Sequence, residues 1–336
     1  MNTIYEHIEP YTELELDCAQ NLYVTLIKFQ GYEERYLGAV WPWEFILNSP
    51  EVDSIDKWKV IRITNSKCVN QERLEKLYKA RLIYYYPDSV DEMWEKIKDS
   101  LDRQVPVIAA VDQYYAHYHY PYIYKKQHGF HAVMPLCYDD NNMEIYCVSS
   151  VPRYKGTITY EEFTEGIKGC GVLWYAGLDF KDKPYRVDEE EVWNGFRNLV
   201  EDIKLRYENY CGKRNDSTGI IYTPDMINML EELRFIKDDD RLLEEVDLFC
   251  DGLWGWSVGR KGKWLSEYLK MPFVKSGNNS WEECIELIEQ NSRDWMLAYR
   301  VLFKGLQGGE IRNALSQALD KLYIVLERDR KLLGIL

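Results

Sequence analysis

The chain lacks the features that mark several common classes of protein. No apolar run approaches the roughly 20 residues that a membrane-spanning helix needs, and the N-terminal stretch 1–17 has no basic region followed by an apolar core, as a secretory signal would. The eight cysteines form no CxxC motif and no Cys/His zinc-ligand spacing. We therefore expect a cytoplasmic protein with reduced thiols, without membrane association, a bound metal or a cofactor.

The chain also lacks a surplus of positive charge. It has 42 Lys and Arg residues against 56 Asp and Glu residues, a formal net charge of -14 at pH 7. Nucleic-acid binding without sequence preference needs basic patches that displace counterions from phosphates, so the charge argues against a nucleic-acid partner. An acidic surface suits a cationic partner, such as an amine-bearing small molecule or peptide.

The length and the patterning indicate two domains. A chain of 336 residues with 46% hydrophobic residues can bury two cores. Strand-like apolar runs and helical periodicity alternate in the first half, whereas helical periodicity dominates after about residue 185. We predict an α+β domain over residues 1–182 and an all-helical domain over residues 187–336.

Local patterns predict the elements of the first domain. The predicted helices lie at 18–30, at 71–82, from residue 88 or 89 onward, and from Thr159, where Thr159 and Glu162 have the spacing of a capping box. The predicted strands lie at 58–64, 83–86, 106–111, 131–138 and 143–149, with a hairpin turn at 139–142.

Cys18 is a candidate nucleophile because it stands at the start of a predicted helix. The unpaired N–H groups and the positive end of the helix dipole at this position stabilise a thiolate and lower the pKa of the thiol. The same N–H groups can donate to an oxyanion when the sulfur attacks a carbonyl. The alternative is that Cys18 is a small buried residue of the core, as most cysteines are.

His131 is the candidate base for Cys18. Four of the five histidines lie between positions 117 and 131, and His131 begins a hydrophobic strand just after Gly129, where a loop can present it at the rim of a cleft. A thiol nucleophile needs such a base to take its proton and return it to the leaving group. The alternative is that His131 is a satisfied histidine at a strand edge and that the other three belong to a loop. The histidine cluster is a poor match to a metal site, because no cysteine or carboxylate stands near it at ligand spacing.

Four stretches together resemble a known family. They are CAQNL from Cys18, PVIAAVDQYYAHY from Pro106, GFHAVMPLCYDD from Gly129 and EIYCVSS from Glu144. These stretches resemble the N-terminal domain of the butirosin biosynthesis protein H family, which is itself similar to papain-like cysteine peptidases. The resemblance covers roughly residues 10–180 and implies a papain-like domain with a central, mostly antiparallel sheet.

The resemblance implies acyl transfer in natural-product or antibiotic biosynthesis. An acyl group would move from the thioester of an acyl or peptidyl carrier protein onto Cys18 and then to an amine, in transfer or cyclisation. His131 would be the general base and acid, and Asp112, Tyr114 and Tyr115 match the aspartate-tyrosine element of the family. We further expect substrate contacts from Tyr114, Tyr115, Tyr118 and His128.

One position departs from the papain-like pattern. An Asp or Asn that orients the histidine is expected about sixteen residues beyond it, where this chain has Cys147, a weak acceptor. Asp112, Glu144 or a backbone carbonyl would then orient His131, or the site is a dyad, with Asn21 as a further supporting residue. Two other functions remain open: a cysteine hydrolase of amide or thioester bonds, and a non-catalytic papain-like binding module.

Overall fold

The computed structural model divides into two compact units, which are Met1–Glu34 with Gln71–Val187, and Arg35–Asn70 with Asp188–Leu336. The predicted strand at 58–64 and most of the predicted helix at 71–82 lie outside the described residues. The structure describes residues 7–12, 18–40, 45–46, 75, 78–180, 188–208, 220–221, 223–253, 258–275 and 280–336.

The division differs from the sequence prediction in one segment. The chain changes units between residues 187 and 188, but Arg35–Asn70 belongs with the C-terminal helices rather than with the first unit. Two contacts show why. Strand β1 (Phe45–Ile46) pairs antiparallel with β8 (Ile220–Ile221), and Gly38 lies so close to the backbone of Trp264 that a Cβ atom would not fit there.

The first unit is an α+β structure around an open antiparallel sheet of six strands. The strands are β2 (Ala80–Tyr85), β3 (Val107–Asp112), β4 (Phe130–Asp139), β5 (Glu144–Ser150), β6 (Arg153–Thr159) and β7 (Tyr175–Phe180). Their order across the sheet is β2-β7-β3-β4-β5-β6. The predicted hairpin is confirmed, because the Asp139 carboxylate accepts the amide N–H groups of Asn141 and Asn142 in the turn between β4 and β5.

Two amphipathic helices cover one face of this sheet. They are α2 (Val90–Asp102), capped by the Ser89 hydroxyl, and α3 (Tyr160–Gly169), which begins with the predicted Thr159–Glu162 capping box. Their apolar sides bury a core against alternate residues of the strands, because side chains two apart on a strand share a face. This core contains Met93, Trp94, Ile97, Leu101, Val107, Ala109, Val111, Val133, Ile145, Cys147, Ile158, Phe163, Ile167 and Tyr175.

Helix α1 (Cys18–Phe29) packs against β3, β4 and β5, and it covers the opposite face. The Tyr23 hydroxyl lies 3.2 Å from the hydroxyl of Tyr84. Tyr84 precedes Tyr85, which pairs with the core residue Tyr175. Because successive strand residues point to opposite faces, Tyr84 and α1 lie across the sheet from α2 and α3.

The second unit is mainly helical, as predicted, although the short β1–β8 pair shows that it is not all-helical. Its helices bury a carboxylate, because Asp329 accepts hydrogen bonds from Tyr207, Thr223 and Asn291. Among the described helices, none is long and apolar enough to cross a bilayer. The helices are α4 (Glu189–Glu208), α5 (Thr223–Leu233), α6 (Asp239–Leu253), α7 (Val258–Leu269), α8 (Pro272–Lys275), α9 (Trp281–Gly308) and α10 (Ile311–Ile335).

Candidate active site

Cys18 is the first residue of α1 and is partly exposed, whereas the next nine residues of the helix are buried. The body of the helix is therefore fixed in the core while its first residue remains accessible. The amide N–H groups of a first helical turn point toward this end, and they favour negative charge there. The position is the one that the sequence predicts for a nucleophilic thiol.

His131 is the second residue of β4 and is only 2% exposed. Its Nε2 atom lies 2.9 Å from the Ser149 hydroxyl on β5, and its ring packs edge-on against His119, with 5.0 Å between the ring centres. Burial, and to a lesser degree the charge of His119, lower the pKa of His131 to about 3. The imidazole is therefore neutral at physiological pH.

Tyr118 packs beside His131. Its ring centre lies 6.0 Å from that of His131, and it stacks on Tyr154 at 4.4 Å. Burial raises the pKa of Tyr118 well above its usual value, and negative charge on Cys147 and on Cys18 raises it further. Tyr118 is thus a direct neighbour of the imidazole of His131.

The side chain of His131 and the helix that begins at Cys18 lie on different sides of the sheet. His131 pairs with Val111, a residue of the core beneath α2 and α3, whereas α1 covers the other face. Both residues belong to the described chain, and no hydrogen bond joins Cys18 to His131.

The residue that holds the imidazole of His131 is Ser149, not Cys147. Cys147 is fully buried in the apolar core, and burial raises the pKa of its thiol. Residues two apart on β5 share a face, so Ser149 stands on the same side as Cys147 and one step closer to the start of β4. Strand alternation was the signal that could have identified Ser149, but the exact register between β4 and β5 was needed to use it.

Glu144 is too far along the hairpin to orient His131. It pairs with Asp139 at the turn end of β4, eight residues beyond His131. At about 3.3 Å per residue, His131 and the Asp139–Glu144 pair are about 26 Å apart along β4. Asn21, another predicted supporting residue, is fully buried within α1.

Asp112 holds the loop after β3 instead of orienting His131. Its carboxylate accepts the amide N–H groups of Tyr114 and Gly129, both at 3.0 Å, and lies 2.6 Å from Nδ1 of His128. Although burial alone would raise its pKa, the bonds from His128, Gly129 and Tyr114 outweigh that effect and lower it. The carboxylate therefore joins both ends of the 113–129 loop.

We expect Asp112→Asn to destabilise the protein by about 2 kcal/mol, because a neutral amide is a weaker partner than a carboxylate for the N–H groups of Tyr114 and Gly129 and for the His128 ring. Chemical unfolding would measure the loss, and limited proteolysis would show faster cleavage within 113–129. Asp139→Asn is the matched control, since Asp139 also accepts two backbone N–H groups but at a surface turn. An equal loss in both variants would contradict the assigned role.

The predicted substrate-binding residues fall into two groups. Tyr118 lies beside His131, whereas Tyr114 and Tyr115 belong to the surroundings of Asp112. His128 stacks on Tyr114 with 4.3 Å between ring centres, and the Lys125 ammonium lies 5.1 Å and 4.6 Å from the ring centres of Tyr114 and Tyr115. This second group forms a partly exposed aromatic and cationic surface around a buried carboxylate.

The sequence did not indicate a second histidine beside Tyr118. His117 Nδ1 lies 2.8 Å from Oε1 of Glu162, and its Nε2 lies 3.4 Å from the Tyr154 hydroxyl. The capping-box pattern identified Glu162 as the partner of Thr159. Both hydrogen bonds of this capping box form, one from each backbone N–H to the side chain of the other residue. A single sequence contains no signal for the pairing with His117, because the contact spans 45 residues.

No protein-family model matches the chain, and no curated protein matches it. Within the described part of the chain, no three His, Cys, Asp or Glu side chains come together as metal ligands do. Assignment of a function therefore depends on the geometry around Cys18 and Tyr118 and on the resemblance of the sequence motifs.

Proposed function

We propose that the protein is a thiol-dependent acyltransferase or cyclase whose first unit is a papain-like catalytic domain. The observation that carries the proposal is the partial exposure of Cys18 as the first residue of α1, where the N–H groups of a helix start favour a thiolate. The bond between Ser149 and His131 supports it, because it holds the imidazole of the predicted base in place. The four sequence motifs that resemble the butirosin biosynthesis protein H family suggest the same chemistry.

In the first step the Cys18 sulfur attacks the carbonyl carbon of an acyl thioester. The imidazole of His131 takes the thiol proton, a bond forms between Sγ and the acyl carbon, and the donor carbon–sulfur bond breaks. The proton passes from His131 to the departing thiolate. Burial opposes a charged His131, but a thiolate beside it offsets part of this cost.

In the second step an amine attacks the acyl-Cys18 carbonyl. A nitrogen–carbon bond forms, the carbon–Sγ bond breaks, and the sulfur leaves as a thiolate after the amine has lost a proton. The proposed donor is an acyl or peptidyl carrier protein, and the acceptor is an amine-bearing small molecule or peptide. The acidic charge of the chain is compatible with a cationic acceptor, and the proposed setting is cytoplasmic natural-product biosynthesis.

Intact-protein mass spectrometry with a small acyl thioester would test this proposal. We expect one acyl group to add, peptide mapping to place it on Cys18, and added amine to remove it with formation of an amide. Modification spread over Cys137 and Cys170, which are also partly exposed among the described cysteines, or no modification at all would contradict the proposal. Release of the free acid in preference to the amide would identify a hydrolase instead.

A non-catalytic binding module is the second candidate. It is favoured by the burial of His131, whose pKa is lowered to about 3, and by a serine rather than a carboxylate as its hydrogen-bond partner. In this function the aromatic loop between β3 and β4 would bind a ligand, and Cys18→Ala would bind that ligand as well as the parent protein does.

A further inference from the structure

An open cavity of about 760 Å³ lies beside α2 and above strands β2 and β7. Its floor is formed by Tyr85 of β2 and Tyr175 of β7, which pair across the two strands. A cavity of this size can hold a small molecule. Strand β2 lies three strands from β4, the strand of His131, so at about 4.8 Å per strand Tyr85 and His131 are about 14 Å apart across the sheet. The cavity is therefore separate from the candidate active site.

The floor of the cavity presents one open aromatic face. The rings of Tyr85 and Tyr175 stack, with 4.7 Å between their centres and 12° between their planes. Tyr175 is buried, whereas Tyr85 is 42% exposed, so the uncovered ring face of this pair belongs to Tyr85. Pro87 and the exposed Tyr86 extend the same apolar side. An aromatic group of a ligand can stack on such a face.

The wall of the cavity carries charges of alternating sign. Its residues Glu92, Lys96, Asp99 and Arg103 follow one another at intervals of three or four positions, so they lie along one side of α2 and of the residue that ends it. Neighbouring charges are about 5–6 Å apart along the helix axis. A ligand that carries both signs of charge close together complements this wall, whereas a simple cation or anion would meet its own sign beside its partner.

Three of these charged groups are available to a ligand. Within the described chain, the Lys96 ammonium and the Asp99 carboxylate form no hydrogen bond or ion pair. The Nε atom of Arg103 donates to the backbone carbonyl of Asp99 at 3.0 Å. This bond holds the guanidinium beside α2 and leaves its two terminal nitrogens, which can together bind a carboxylate.

The other acidic side chains of the cavity already have partners in the protein. The Glu92 carboxylate accepts the backbone N–H of Asp88 at 3.0 Å, and the Asp102 carboxylate accepts the Tyr138 hydroxyl at 2.9 Å. Asp99 is therefore the carboxylate of the wall that is left for a cationic group of a ligand.

We infer that this cavity binds an α-amino acid with an aromatic side chain. The ring of the ligand stacks on the open face of Tyr85. Its carboxylate accepts hydrogen bonds from the terminal nitrogens of Arg103, where the Lys96 ammonium adds positive charge, and its ammonium group donates to the Asp99 carboxylate. Asp99 and Arg103 are one helical turn apart, so the two charged groups on a single carbon atom of the ligand can reach both. Binding involves no chemical step and does not depend on the proposed acyl transfer.

Nuclear magnetic resonance titrations of the full chain with four small probes would test this inference. L-Phenylalanine carries all three recognised groups, whereas 3-phenylpropionate lacks the ammonium, 2-phenylethylamine lacks the carboxylate, and L-alanine lacks the ring. We expect L-phenylalanine to bind with a Kd of about 0.1–1 mM and each of the others to bind about 10-fold more weakly. No saturable binding of L-phenylalanine below about 10 mM, or equally tight binding of 2-phenylethylamine, would overturn the inference.

Variants of the two charged groups would place the ligand in the cavity. Asp99→Asn should weaken binding of L-phenylalanine about 10-fold and leave that of 3-phenylpropionate within about twofold, because only the former has an ammonium group. Arg103→Gln should weaken both of these probes and leave 2-phenylethylamine within about twofold. Asp91→Asn is the matched control, since Asp91 is an exposed carboxylate of α2 that does not line the cavity.

A structural effect of the substitutions would give a different pattern. Loss of all probes to the same extent in Asp99→Asn and in Arg103→Gln would refute the assigned contacts, because a distorted cavity does not distinguish an ammonium from a carboxylate. Equal weakening in Asp91→Asn would place the binding outside this cavity. Tyr85→Ala should weaken the three probes that carry a ring and leave L-alanine within about twofold, and unchanged binding in this variant would refute the stacking.

Discussion

Replacing Cys18 with alanine should lower acyl transfer by on the order of 10⁴-fold, because loss of a covalent nucleophile leaves only the contribution of binding and positioning. Cys18→Ser should be similarly impaired, since a hydroxyl is far harder to ionise than a thiol. Cys18 is partly exposed at the start of α1, so neither substitution should affect folding strongly. Turnover of an acyl thioester with an amine would measure the loss.

Cys170→Ala provides the matched control. Cys170 is also partly exposed, but it follows the last residue of α3, where the carbonyl end of a helix disfavours a thiolate. Burial raises the pKa of its thiol, so its loss should leave turnover within twofold of the parent. Equal turnover in Cys18→Ala and Cys170→Ala would eliminate the covalent mechanism and favour the binding module.

The free energy of unfolding should fall between pH 7.5 and pH 5, and His131 should account for about 2 kcal/mol of this decrease. The usual pKa of histidine is near 6.5, whereas that of the folded His131 is lowered to about 3. Below pH 6.5 the unfolded chain therefore binds a proton that the folded chain does not, and stability is lost as the pH falls toward 3. Between pH 6.5 and pH 3, the contribution of His131 lowers the free energy of unfolding by about 5 kcal/mol in total.

Urea unfolding at several pH values would measure this dependence. His131→Gln should be less stable at pH 7.5, because the core residue has changed, but its decrease between pH 7.5 and pH 5 should be smaller by about 2 kcal/mol. His119 contributes in the same direction, since burial also lowers its pKa, so a residual decrease should remain in this variant. His7→Gln should retain the full decrease. An identical pH dependence in the parent and in His131→Gln would show that His131 titrates normally in the folded protein.

Local sequence patterns predicted the elements whose signals lie within a few residues. The continuous apolar run of β3, the turn at Asp139 and the capping box at Thr159 depend on neighbouring residues alone, and all three form as predicted. Strands β6 and β7 were not predicted, because β6 mixes polar residues with a glycine and β7 contains a glycine and an aspartate. Their conformation is set by pairing with β5, β3 and β2, which are distant in sequence.

In the candidate site, too, the sequence did not predict contacts between residues that are far apart in the chain. The sequence identified Cys18 and His131 as residues of interest from the chemistry of a helix start and of a strand start. It did not identify Ser149 as the partner of His131, because the choice between positions 147 and 149 depends on the register between two strands. It offered Asp112 as one of several residues that could orient His131, whereas the Asp112 carboxylate binds the 113–129 loop, and the folding back of that loop cannot be anticipated from residue order.

The amino-acid sequence by itself determined the α+β character of the first unit, the helical character of the second, and the place of Cys18 at a helix start, because these depend on periodicity and on capping over short distances. Only the tertiary structure decided which face of the sheet holds His131, which carboxylate holds His117, and which residues surround Tyr118. These arrangements depend on strand register and on the packing of helices on two sides of a sheet. Both bring together residues that are far apart in the chain.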